Sequence, residues 1–168
     1  MAFPEHLSKE KLEELLSISE RNRWERLKNR QLNSDSISEG KNNSEFLIDD
    51  AKLVLFGAES AFIRSIVEMF NTMTTIAHFD NPENMITFCL DHAIQAIILD
   101  IDPPTDVHIV MDVFASLKML LPISKIFVCS SRKKSLEVEH FKIFGATILE
   151  KPFLRKQVQL FCNKYLSK

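Results

Sequence analysis

The sequence predicts an α/β protein built on a doubly wound, five-stranded parallel sheet, with a helical arm ahead of it. Two observations carry this. Five short apolar runs, each too short for a helix, are spaced through the chain from Ala51 onward, and a segment with helical spacing of apolar residues follows each one. Strands that alternate with helices in this way form a parallel sheet with both faces covered.

The elements follow in order. "KLVLF" (52–56) is the first strand; "GAES" after it combines a turn with an N-cap residue, and Phe62, Ile63, Ile66, Val67 and Phe70 then recur at helical spacing. "TTIAHF" (74–79), "AIILD" (96–100), "KIFVC" (125–129) and "ATILE" (146–150) are the remaining strands, weighted toward β-branched and aromatic residues. Met85, Ile86, Cys89 and Leu90 mark the second helix, and Val110, Val113, Phe114, Leu117 and Leu121 the third, which Pro122 stops. Phe141 and Phe144 close a fourth before Gly145, and Leu154, Val158, Phe161, Cys162 and Tyr165 form the fifth.

Ahead of this domain (46–168), residues 1–45 differ in texture. Residues 8–32 are charge-rich, with Ser8 as a candidate N-cap and Leu12, Leu15, Leu16, Trp24 and Leu27 along one side, the pattern of an amphipathic helix. Residues 33–45, "NSDSISEGKNNSE", have the composition of a polar linker.

Composition narrows the function. A net charge of -2 provides no field for gathering nucleic acid or anionic lipid, so neither is expected as a partner. The charged N-terminus lacks the unbroken apolar stretch of a secretory signal, and no run of about 18 apolar residues occurs, which leads to a cytoplasmic expectation. Cys89, Cys129 and Cys162, odd in number and each inside an apolar segment, read as buried free thiols.

In a doubly wound sheet, functional groups collect beyond the carboxyl ends of the strands. There the sequence places Gly57 and Ala58, Asp100, Ser130 and Lys151. A carboxylate, a hydroxyl and an ammonium at one edge suit phosphoryl transfer, the carboxylate attacking while the other two hold phosphoryl oxygens.

Residues 51–168 resemble the receiver domain of two-component response regulators. "ILDIDPP" resembles its phosphoacceptor motif, with Pro104 four positions after Asp100; "FVCSSR" resembles the strand-four end that carries the Ser/Thr switch; "FGATILEKPF" resembles the strand-five signature with its Lys-Pro pair. The resemblance implies a (βα)5 flavodoxin-like fold, Asp100 as phosphoacceptor, Ser130 and Lys151 as phosphoryl-binding and switch residues, and a cis bond between Lys151 and Pro152. It also implies a histidine kinase or a downstream regulator as protein partner. Receivers hold a divalent metal with an acidic pair after strand one, where this chain has Gly57 and Ala58, neither able to ligate through a side chain. Glu59 and Asp102 remain as weak candidate ligands, so the expectation is no cofactor or weakly bound Mg²⁺. The aromatic of strand five is replaced by Ile148, and the Asp-Gly after the phosphoacceptor loop by Val107-His108.

These departures point to a degenerate receiver, not an enzyme, that acts through protein contacts without a recognisable output domain. A genuine single-domain response regulator phosphorylated on Asp100 is the alternative. Asp100 and Asp102 also resemble the Asp-x-Asp of haloacid-dehalogenase phosphatases, although that motif ends the first strand and continues with Gly-Thr, not Pro-Pro. The interaction surface is expected on the fourth helix, where Leu136, Val138, Phe141, Ile143 and Phe144 surround more of the circumference than one core-facing stripe needs. A homodimer through this helix with strand five and helix five, or through the N-terminal helix, is the corresponding assembly.

Overall fold

A computed structural model describes residues 51–121 and 124–166, together with Glu10, Glu13, Glu14 and Ser17, which are helical. The expected amphipathic stripe of Leu12, Leu15, Leu16, Trp24 and Leu27, its Ser8 cap and the linker lie outside the described residues, as does Pro122.

Five strands and five helices alternate: β1 (Leu53–Phe56), α1 (Ala61–Asn71), β2 (Ile76–Phe79), α2 (Pro82–Asp91), β3 (Ala96–Asp100), α3 (Val107–Leu120), β4 (Lys125–Ser130), α4 (Leu136–Ile143), β5 (Thr147–Glu150) and α5 (Arg155–Tyr165). The sheet order is β2-β1-β3-β4-β5 and every pairing is parallel. Alternate side chains feed opposite cores. Val54, Phe56, Ile97, Leu99 and Val128 pack with α2, α3 and α4 on one face. Leu53, Leu55, Ile98, Phe127 and Cys129 pack with α1 and α5 on the other.

Capping explains where the helices begin. Ser60 accepts from Ile63 N at 3.1 Å and Ser135 from Val138 N at 3.2 Å, each satisfying one of the amides that a first turn leaves open. Asn81 and Asp106 cap α2 and α3 in the same way, and Pro82 adds a fixed φ at the start of α2.

Four boundaries move by one or two residues; β1 starts at Leu53 rather than Lys52. β2 starts at Ile76 rather than Thr74, because Thr74 N–H donates back to Phe70 O at 2.8 Å and closes α1 instead of joining the ladder. β4 runs one residue further, to Ser130, which pairs with Glu150. β5 starts one residue later, at Thr147: Gly145, at φ +83°, and Ala146 turn their amides onto Lys142 O and Phe141 O, a left-handed helix end that glycine adopts without strain.

The fourth helix needs a correction. Val138 and Phe141, expected on the interaction surface, are 0% and 1% exposed; Phe141 meets Phe114 edge to face at 5.5 Å between centroids. Only Leu136 (87%), Ile143 (80%) and Phe144 (46%) face outward. The cause is geometric: Val138 and Phe141 are three apart and share the inner side, whereas Leu136 and Ile143, seven apart, share the outer one.

Truncating Phe141 and Ile143 separates the two sides of α4. Phe141→Ala is expected to lower unfolding stability by about 3–5 kcal/mol, and Ile143→Ala by no more than about 0.5 kcal/mol, in urea denaturation followed by circular dichroism. Equal losses would contradict the inside-outside assignment.

Candidate functional site

The carboxyl ends of β1, β3, β4 and β5 bring Asp100, Asp102, Ser130 and Lys151 together. Asp100 ends the most central strand, between β1 and β4, and is buried, as are Asp102 and Ser130. Pairing of Ser130 with Glu150, and Lys151 N–H donating to Ser130 O at 3.1 Å, carries the lysine across to Asp100. Lys151 Nζ donates to Asp100 Oδ1 at 2.5 Å and lies 3.1 Å from Asp102 Oδ2. Its remaining side is covered by the Phe62 ring, 3.9 Å from Nζ to centroid. The Lys151–Pro152 bond is cis, as the family resemblance implies, and Pro103–Pro104 is cis as well.

Asp102 sits deeper in this network than its standing as a weak metal candidate suggested. Ser130 Oγ donates to its Oδ1 at 2.7 Å and Ser131 N–H to its Oδ2 at 2.7 Å. Arg132 Nε is 3.6 Å from Oδ1, and Arg132 N–H donates to Ser130 Oγ at 3.0 Å. The backbone N–H of Asp102 in turn donates to Asp100 Oδ1 at 3.0 Å. The two carboxylates are held differently. Burial dominates at Asp100 and raises its carboxyl above the usual range against the opposing pull of Lys151. Burial pushes Asp102 the same way, but the hydrogen bonds from Ser130 and Ser131 and from Lys151 outweigh it and hold the carboxyl down at about 2.

Asp100 and Asp102 are the two carboxylates that share Lys151 at this edge. A Cβ at Gly57 would stand 2.9 Å from Asp100 Cβ and 3.2 Å from Ile63 Cδ1, so a larger side chain there requires its neighbours to shift. Ala58 offers its N–H to Thr105 Oγ1 at 2.9 Å. Glu59 turns outward to Arg64, at 3.2 Å, and toward His78 Nδ1, at 3.9 Å, and is not brought to Asp100 and Asp102. Among the described residues no three His, Cys, Asp or Glu side chains stand together as a metal site.

Sequence reasoning missed Arg132, Ser131 N–H, Thr105 and Phe62. Arg132 was open to discovery, since it lies two residues beyond Ser130 just as Asp102 lies two beyond Asp100; Ser131 N–H and Thr105 depend on loop paths that spacing does not reveal, and Phe62 was visible only as one apolar position of the first helix. The thiols are as expected: Cys89, Cys129 and Cys162 are buried and none is in a disulfide, and burial pushes Cys89 up to about 12. A cavity of about 460 Å³ lies at the opposite, amino-terminal end of β4 and β5, beside Lys118, Ser124, Lys125 and Tyr165, away from these carboxylates.

The opposite shifts of the two carboxyls predict opposite mutant effects. Asp102 contributes stability that is present above the ordinary carboxyl value of 3.8 and lost as pH falls toward about 2. Ionised Asp100 has the other sign, costing stability above its raised folded value and relieving that cost as pH falls through it. At pH 7, Asp100→Asn is therefore expected to raise unfolding stability, and Asp102→Asn to lower it by about 1.5–3 kcal/mol through weakened charged hydrogen bonds. Denaturant titrations of both variants measure this, and a stabilised Asp102→Asn would contradict it.

No protein-family model matches the sequence, and no curated protein matches it. Solved structures do share its fold. The chemotaxis protein CheY4 of Vibrio cholerae superposes with a TM-score of 0.55 at 15% identity, over 68% of this chain and 98% of that one. A response regulator from Desulfuromonas acetoxidans gives 0.55 at 15%, over 68% and 94%. A response regulator receiver domain protein from Clostridium thermocellum gives 0.53 at 15%, over 68% and 92%. The chain thus has the doubly wound flavodoxin-like fold of response regulator receiver domains, with Asp100, Ser130 and Lys151 at the carboxyl edge of its sheet.

Proposed function

We propose that this chain is a two-component signalling protein of the degenerate receiver kind, working through protein contacts with little or no Mg²⁺-dependent phosphorylation. The observation behind the reading is the close approach of Gly57 to Asp100: position 57 supplies no carboxylate, and a Cβ there would stand 2.9 Å from Asp100 Cβ, so fewer ligands are on hand for a metal that would offset the charge of a transferring phosphoryl group. No cofactor is required, and any Mg²⁺ is bound weakly. Asp100 and Lys151 then serve as a buried ion pair.

The contact surface in this reading is the outer side of α4, Leu136, Ile143 and Phe144, which offers large apolar groups to solvent. Its partner is a protein, a histidine kinase or a downstream regulator, or a second copy of the chain. No described helix is long and apolar enough to cross a membrane.

Phosphorylation of Asp100 by a histidine kinase is the second reading, favoured by Lys151 and Ser130 standing where phosphoryl oxygens would need them. A phosphatase using Asp100 and Asp102 has less support. Its general acid must carry a proton, and a carboxyl held at about 2 does not at neutral pH.

Incubation of the full chain with acetyl phosphate and Mg²⁺, followed by intact-mass measurement, distinguishes the first two. No mass gain is expected. Stoichiometric labelling that disappears in Asp100→Asn would replace the degenerate reading with the phosphorylated one.

A further inference from the structure

The donors around Asp102 come from segments other than its own and converge on its carboxylate. Ser130 Oγ and Ser131 N–H come from the end of β4, Lys151 Nζ from the end of β5 and the Arg132 guanidinium from the segment leading into α4. A hydroxyl, an amide, an ammonium and a guanidinium aimed at one point form a site for a small oxyanion. Asp102 reaches into it from the turn after β3, where Thr105 N–H donates to Asp102 O at 3.0 Å and Asp102 N–H to Asp100 Oδ1 at 3.0 Å.

We propose that Asp102 is a built-in oxyanion: its carboxylate permanently occupies an anion site formed by Ser130, Ser131, Arg132 and Lys151, and in doing so fixes the start of α4. The link to α4 is Arg132. Its Nε faces Asp102 at 3.6 Å, its Nη2 donates to Ile101 O at 3.4 Å, and its Nη1 is 3.9 Å from Glu137 Oε1 in the first turn of α4. Arg132 N–H and Ser131 N–H are both engaged in the same network, so the chain entering α4 is tied at successive residues. The inference deepens the degenerate reading, because the face it holds in one arrangement is the proposed contact surface. The ligand class of the vacated cradle is a small oxyanion, a carboxylate or a phosphate.

The test uses full-length Asp102→Ala with sodium phosphate or sodium acetate, against sodium chloride at matched ionic strength. At about ten times the dissociation constant the unfolding midpoint of the variant is expected to rise by about 3–6 °C over chloride. The amide signals of Ser131 and Glu137 should move back toward their wild-type positions. Wild type should respond to neither anion beyond chloride, and Asp102→Glu, which keeps the carboxylate, should respond less than Asp102→Ala. A larger response to acetate marks a cradle shaped for a carboxylate, and a larger response to phosphate one shaped for a tetrahedral anion; either supports occupancy by Asp102. If Asp102→Ala is unfolded in chloride, phosphate or acetate should restore its circular dichroism, and failure to do so overturns the proposal. So does a folded Asp102→Ala without an anion response at Ser131, or a wild-type response of equal size. Acetyl phosphate labelling of wild-type Asp100 would sink the degenerate reading while leaving this anion response unchanged, so the two failures are distinct.

Discussion

One ammonium serves two buried carboxylates, and the rest of the site is arranged around that shortage. Lys151 Nζ contacts Asp100 and Asp102 together, with only a tenth of its side chain exposed. A buried carboxylate is costly unless its lone pairs are satisfied, and the cost of leaving one unpaired exceeds the gain from any one bond. The chain resolves this by dividing the donors unequally. Asp102 receives the hydroxyl, the amide and the edge of the guanidinium, whereas Asp100 has the lysine and one backbone N–H. Burial raises the carboxyl at Asp100 against the pull of its two donors, whereas the larger donor set at Asp102 outweighs burial and lowers that one.

The division also joins elements distant in sequence. Asp102 lies just past β3, Ser130 and Ser131 at the end of β4, Lys151 past β5, and Arg132 reaches toward Glu137 on α4. Charge satisfaction therefore holds the three strand ends in register at the edge where apolar packing thins out. Phe62 closes the remaining side of Lys151 and meets Phe153 at 5.8 Å, so the ammonium is shielded by aromatic carbon where it is not hydrogen-bonded. Behind the edge, the two apolar cores on opposite sheet faces hold β1 and β3 rigid, and Asp100 inherits its position from them.

The strands and helices were legible in the sequence because each carries a periodic signal that burial enforces. β3, buried at all five positions, reads as an unbroken apolar run; α1 shows its inner stripe as Ile63, Ile66 and Phe70. Asp100, Ser130 and Lys151 were legible because strand ends are fixed by those runs. Asp102 was visible only as a residue two places along, since its role depends on how the turn through Pro103 and Pro104 folds back toward β4. The sides of α4 were hidden for a different reason. Apolar residues surround that helix almost evenly, so the pattern announced that some must face outward without identifying Leu136, Ile143 and Phe144 as the ones.

The contact between Gly57 and Asp100 constrains how this site can be altered. A side chain at position 57 meets Asp100 Cβ before it can reach a shared ligand, and Thr105 Oγ1 stands only 3.4 Å from the same point. An acid introduced there must displace the neighbouring strand end or the loop after it, and it also adds a third carboxylate beside a single lysine. Changes at Gly57, Thr105 and Asp102 are therefore coupled, and their effects on stability should not add. Placing an acid at position 57 is thus a problem of several simultaneous substitutions, because the side chain that gains the carboxylate and the neighbours that must yield to it lie on different segments.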